Sequence, residues 1–169
     1  MNYSPTTPAR RAALLLALAF TLAVGPASAE IVHVNTTEGL TLAGAPLALH
    51  GYDAVAYFTE GHAVRGKAEF TVTHNGAAYR FASATHEASF AKSPDSYAPQ
   101  YGGFCAFGVS VGAKFDGDPE LFRVVDGKLY LNLNPQIQKK WNGDVDGNIE
   151  KADEAWPKIR ERAASALNG

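Results

Sequence analysis

Two turn dipeptides, each between short apolar segments, constrain the fold of this chain more than any other feature. The first is Asn75-Gly76, between residues 69–74 and 77–81. Both residues adopt positive φ readily, so the pair favours the two-residue type I′ turn of a β-hairpin. Counting outward from that turn predicts cross-strand pairs that share one apolar face and pack against the core. The pairs are Val72 with Tyr79 and Phe70 with Phe81.

The second turn dipeptide is Asp126-Gly127, between residues 122–125 and 128–131. The same counting predicts a second hairpin that is again apolar on one face. Its predicted pairs are Val124 with Leu129 and Phe122 with Leu131.

Capping residues predict short helices after each hairpin. Ser83 is suited to cap a helix in which His86 and Phe90, four residues apart, share a face. Pro94 is expected to end that helix. Asn134-Pro135 starts a further helix with Ile137 and Trp141.

The C-terminal segment has the spacing of an amphipathic helix, which Pro157 should kink or divide. Its apolar stripe contains Ile149, Ala152, Trp156, Ile159, Ala163 and Leu167.

The segment before the first hairpin combines a turn over residues 50–53 with a compact run, Ala54–Phe58, that is expected to be a strand. No internal repeat or linker is evident in the sequence. We therefore expect one small α+β domain, with two β-hairpins packed against short helices and a C-terminal amphipathic helix.

Residues 1–29 have the pattern of a cleaved export signal. Arg10 and Arg11 precede a largely apolar run over residues 12–24, which is too short to cross a bilayer. Gly25-Pro26 breaks the run, and small residues follow at 27–29. The pattern predicts a periplasmic domain over residues 30–169 that has no membrane association after cleavage. The arginine pair leaves open which export route is used.

Charge and composition exclude several classes of partner. The chain has net charge −2, which becomes −4 when Arg10 and Arg11 leave with the signal. An acidic chain without basic blocks is not expected to bind nucleic acid or anionic membranes. The single cysteine, Cys105, cannot form an internal disulfide.

Several motifs in order along the chain resemble the YHS domain family, in its exported single-domain branch. The resemblance covers residues 47–157. The motifs are residues 51–58, residues 79–83 with Phe90, Pro94 and Tyr97, residues 99–106 around Cys105, and the tail from Trp141 to Trp156.

The resemblance implies that the protein binds or handles a soft transition metal, copper before zinc. The ligand positions of metal-associated members fall on Ala56, Ala82 and His86, and two of these donate nothing to a metal. A rebuilt site would use Cys105 with His86 and, as the third donor, His50.

Structural roles compete with this metal hypothesis. Cys105, flanked by aromatic residues, can be a small buried hydrophobe, and His86 a hydrogen-bonded helix residue. Tyr52 and Asp53 can fix a turn, with the carboxylate accepting backbone N–H groups.

The alternative function is a non-catalytic module that binds a small ligand or another exported protein without metal. Its candidate pocket residues are Tyr52, Asp53, Tyr101, Gly102, Gly103 and Phe104. Catalysis by a Cys105 nucleophile is the minor interpretation, because no third catalytic residue and no oxyanion hole are recognisable. We therefore expect no enzyme activity.

Overall fold

The computed structural model describes residues 1, 33–36, 41 and 44–168. Apart from Met1, the predicted export signal lies outside the described residues. The strands are β1 (Lys67–His74), β2 (Ala77–Phe81), β3 (Asp118–Val125) and β4 (Lys128–Asn132). The helices are α1 (Ala56–Thr59), α2 (Ala84–Lys92), α3 (Pro94–Tyr97), α4 (Ala106–Ser110), α5 (Pro135–Gly143) and α6 (Val145–Ile159). Short 3₁₀ turns occupy Ala48–Gly51, Gln100–Gly103 and Ala164–Ala166. This mixture of helices and two antiparallel hairpins confirms the α+β class.

The first hairpin has the predicted turn and, near that turn, the predicted register. Val72 pairs with Tyr79, as expected. Further from the turn, a bulge shifts the register so that Phe81 pairs with Lys67, and the predicted pairing with Phe70 is wrong. Phe81 is nevertheless buried, and Phe70 packs against the same core.

The second hairpin, β3–β4, has both predicted pairs. Val124 faces Leu129 and Phe122 faces Leu131. On the predicted apolar face, Leu129 and Leu131 are buried in the first cluster and Phe122 packs against it, whereas Val124 is exposed. The opposite face also contributes to the core, because Tyr130 is buried in the second cluster and Val125 packs against it.

The run predicted as a strand at residues 54–58 is instead the short helix α1. Asp53 explains the difference, because its carboxylate accepts the backbone N–H groups of Val55 at 2.8 Å and Ala56 at 3.3 Å. These bonds satisfy donors that a helix start leaves open. A local side-chain acceptor therefore overrides the β-type composition of the run.

The capping residues start their helices as predicted. At the start of α2, the Ser83 side chain accepts the backbone N–H of His86. At the start of α5, the Asn134 side chain accepts the backbone N–H of Ile137. The expectation for the last helix is only partly confirmed. α6 continues through Pro157 undivided but ends at Ile159.

The apolar stripe therefore does not stay helical to its end, and the remainder is a separate short turn. Proline cannot donate to the carbonyl four residues earlier, which weakens the last turn of α6.

Two buried clusters form the core, one around Phe90 under the first hairpin and one around Trp141 beneath the second. Helix α1 contacts the second hairpin, where the centres of the Tyr57 and Phe122 rings lie 4.7 Å apart, edge to face, an arrangement that aromatic pairs favour. Tyr57 also donates its hydroxyl to the Pro119 carbonyl at 3.1 Å. No helix within the described residues is long and apolar enough to cross a membrane.

Candidate functional site

The sulfur of Cys105 is buried at the start of α4, with 1% of the residue exposed. It accepts the backbone N–H of Gly108 at 3.4 Å and lies 4.0 Å from the side-chain oxygen of Asn132. Burial raises the pKa of the thiol, although backbone N–H groups, including that of Gly108, partly oppose the shift. This is the environment of a structural cysteine and not of a reactive thiolate.

His86 lies on the first helix turn of α2, against a buried carboxylate. Its Nδ1 is 2.7 Å from Asp53 Oδ2, and no part of Asp53 is exposed. The same Asp53 oxygen accepts the Ala82 N–H at 2.8 Å. Asp53 therefore links the start of α1, the end of β2 and the His86 ring.

The other ring nitrogen of His86 points toward the surface. His86 Nε2 is 3.4 Å from the Thr59 hydroxyl and 3.9 Å from Glu60 Oε1. An ionised Asp53 carboxylate can only accept, so Nδ1 is the nitrogen that donates to it, and the tautomer with this proton has a lone pair on Nε2. His86 can thus act as a ligand or a proton acceptor.

His50 pairs with a different carboxylate. Its Nε2 is 2.8 Å from Asp116 Oδ1, which also accepts from the Asn35 side chain at 2.6 Å. Burial acts to raise the pKa of Asp116, but the hydrogen bonds from His50 and Asn35 outweigh burial and lower it. His50 is therefore held as the partner of an ionised carboxylate.

The three donors of the hypothetical metal site have different partners. Cys105 is near Asn132, His86 binds Asp53 and His50 binds Asp116. In the described part of the chain, no group of three or more His, Cys, Asp or Glu side chains could hold a metal ion. The described residues do not assemble the three-donor site, and copper or zinc binding stays a prediction.

The residues expected to form one ligand pocket are distributed over several places. Tyr52 lines a cleft of about 310 Å³ together with His50, Arg65 and Asp116. In this cleft the Arg65 guanidinium lies 4.1 Å from the centre of the Tyr52 ring.

Tyr101 and Gly102 line a separate cavity of about 360 Å³. Gly102 has φ +64, and a Cβ there would overlap the backbone carbonyl of His33. Asp53, Gly103 and Phe104 are buried and serve packing or hydrogen bonding.

The largest cavity that we describe, about 570 Å³, was missed by the sequence reasoning. It lies between the tip of the second hairpin and α6. Its apolar part is formed by Val125, Tyr130 and Ile149. Its acidic part is formed by Asp126, Asp146, Glu150, Asp153 and Glu154, with Lys128 as the cation in the lining.

One signal for this acidic groove was present in the sequence. Asp146, Glu150 and Asp153 follow spacings of four and three, which place them on one face of a helix. What the sequence did not reveal is that this face approaches the Asp126-Gly127 turn. The Tyr101 hydroxyl, which donates to Asp153 at 2.8 Å, fastens α6 in that position.

In comparisons with known proteins, no family model, no curated protein and no solved structure matches this chain.

Proposed function

We propose that this protein is a non-catalytic binding module whose acidic groove, between the tip of β3–β4 and α6, takes a basic segment of another protein. The observation that carries the proposal is the groove's composition, because five carboxylates and one ammonium line it together with three apolar or aromatic side chains. Lysine and arginine side chains combine an apolar stem with a cationic head, so they match both parts of such a groove.

Electrostatics favours a cationic occupant over a neutral one. Exposed carboxylates each contribute only about 0.2–1 kcal/mol to a single ion pair. A set of like charges in one groove, however, raises the local concentration of cations and steers their approach. Salt should therefore weaken binding strongly.

A binding role, and no catalysis, is supported by the state of the thiol. A nucleophilic cysteine needs an accessible thiolate, whereas Cys105 is buried and its thiol pKa is raised. We further propose that the protein is exported to the periplasm, because of the pattern of residues 1–29. Its partner would then be another exported protein.

Binding of a lysine-rich peptide, measured by calorimetry, tests the acidic groove. Glu150→Gln removes one carboxylate from the groove, and Glu69→Gln removes one from exposed positions on β1 as the matched control. We expect Glu150→Gln to raise the Kd by about two- to fivefold, equivalent to less than 1 kcal/mol. The control should leave the Kd unchanged. An equal effect of both variants would refute the groove as the site.

A second candidate function is the handling of a transition metal ion, copper before zinc, at His86. The observation that favours it is the buried carboxylate on Nδ1, because metal-binding histidines usually donate their other ring N–H to such a partner. Further ligands would come from Glu60, which is 3.9 Å away, or from a partner protein.

Titration of chelator-treated protein with Cu²⁺ and with Zn²⁺ tests this second candidate. The His86→Gln variant should lose binding, while His62→Gln controls for adsorption to an exposed imidazole. A Cys105→Ser variant that lost the metal would instead support the three-donor hypothesis. Equal binding by wild type and His86→Gln would exclude His86.

A further inference from the structure

The same rare backbone conformation occurs twice in the described part of the chain. Leu49, His50 and Gly51 have φ values of 50°, 50° and 78°. Fifty-two residues later, Tyr101, Gly102 and Gly103 have φ values of 54°, 64° and 84°. Residues other than glycine rarely adopt positive φ, yet Leu49, His50 and Tyr101 do so in these two turns. The turns are Leu49-His50-Gly51 and Tyr101-Gly102-Gly103.

Each turn is followed, two residues later, by a buried side chain that accepts backbone N–H groups. Asp53 accepts from the residues two and three positions ahead and from Ala82. Cys105 accepts from Gly108, three positions ahead, at 3.4 Å. The backbone N–H groups of Phe107 and Leu133, which stand where Val55 and Ala82 stand in the first unit, partly oppose the rise in the pKa of its thiol. The backbone N–H groups of these two residues also have equivalent partners. The N–H of Asp53 donates to the Val64 carbonyl at 2.8 Å, and the N–H of Cys105 donates to the Phe115 carbonyl at 2.9 Å.

The hairpins that follow are matched residue by residue. In both, an eight-residue strand and a five-residue strand flank a two-residue turn, and the bulge separates the first and fifth residues of the longer strand. A Cβ on Gly66 would overlap Arg80, and one on Gly117 would crowd Leu131. Gly117 follows Gly66 by 51 positions, and Leu131 follows Arg80 by the same number.

The helices after the hairpins continue the correspondence. α2 and α5 each have nine residues and are capped by the side chains of Ser83 and Asn134. Each buries an aromatic residue at its seventh position, Phe90 in one and Trp141 in the other. Each also ends at a residue of similar, non-helical conformation.

We infer that the domain contains two copies of one structural unit, residues 48–93 and 100–144. In the first copy alone, a polar pair, Asp53 with His86, reaches the surface for ligand contact. This inference agrees with the absence of an evident repeat in the sequence. Few identities remain between the copies, of which Tyr79 and Tyr130 are one, so the repeat is visible in backbone geometry and not in composition.

The second copy acts as an internal control for the first. The positions equivalent to Asp53 and His86 are Cys105 and Ile137. The second copy thus has the same backbone with a thiol and an aliphatic side chain at these positions, and no imidazole. The unit can therefore form without an imidazole here, which is why we assign the His86 ring to ligand contact. The assignment of a ligand rests on the second candidate function, whereas the duplication does not.

Transferring the second copy's pair into the first tests the inference. His86→Ile alone removes a partner of a buried carboxylate and should lower the urea midpoint. The double variant Asp53→Cys/His86→Ile recreates the pair that the second copy contains, so it should be more stable than Asp53→Ala/His86→Ile, which has no acceptor for the backbone N–H groups. Equal midpoints for the two double variants, or a failure of only the Cys/Ile variant to fold, would overturn the equivalence of the two pairs.

Two further measurements separate the parts of this inference. In solution, interstrand contacts measured by nuclear magnetic resonance should show the same register and bulge in β1–β2 and β3–β4, and different registers would overturn the duplication. The His86→Gln variant, which introduces no thiol, should bind Zn²⁺ at least tenfold more weakly than wild type. Undiminished binding would overturn the role of His86 while leaving the duplication intact.

Discussion

Replacing Asp53 should be among the most destabilising single changes in this protein. The carboxylate is fully buried and bonds three backbone N–H groups at 2.8–3.3 Å and the His86 ring at 2.7 Å. In Asp53→Ala, each abandoned N–H group costs about 1–3 kcal/mol. Relief of the buried charge offsets part of this, so we expect a net loss of about 3–5 kcal/mol.

Urea unfolding monitored by circular dichroism measures this loss, with two matched variants. Asp53→Asn keeps one oxygen that accepts the Val55 and Ala56 N–H groups, but its NH₂ group replaces the oxygen that accepts the Ala82 N–H. The free energy of unfolding should therefore fall by about 1–3 kcal/mol. Asp95→Ala removes an almost fully exposed carboxylate and should lose less than about 1 kcal/mol. A loss at Asp53→Ala no larger than that of Asp95→Ala would refute the central role of this carboxylate.

Three further predictions concern other parts of the fold. Gly102 and Gly112 both have positive φ, but only Gly102 lacks room for a Cβ. Calorimetry should therefore show a far lower unfolding temperature for Gly102→Ala than for Gly112→Ala. Burial lowers the pKa of Lys114 to about 8, while the unfolded chain holds that proton to about 10.4. Between these two pKa values the unfolded state binds more protons than the folded state, so the free energy of unfolding should rise with pH from about 8 to about 10.4. The Lys114→Met variant should lack this rise, and a fall in the wild-type free energy of unfolding over the same range would contradict the lowered pKa of Lys114. Cys105 should react with a thiol reagent slowly in the native protein and rapidly in urea, and fast native reaction would contradict its burial.

Local patterns predicted much of the fold because their causes are local. The Asn75-Gly76 and Asp126-Gly127 turns and the Ser83 cap depend on residues adjacent in the chain, and all three are confirmed. The bulge that separates Phe70 from Phe81 depends on how β1 meets the rest of the first unit, and no local spacing encodes it.

The candidate site was harder to predict because tertiary partners determine what each side chain does. Cys105, His86 and His50 are all plausible donors by residue type. Which of them remains available depends on the acceptors that the fold brings to them, Asp53 for His86 and Asp116 for His50. The acidic groove likewise arises from the approach of a helix to a distant turn.

Mapping the binding surface by nuclear magnetic resonance tests the proposed function most directly. On titration with a lysine-rich peptide at low salt, amide shifts should change at residues 125–130 and 146–154, and the changes should diminish as salt is added. Shifts confined to the cleft around His50 and Tyr52, or no shifts at all, would contradict the assignment of the acidic groove as the binding site.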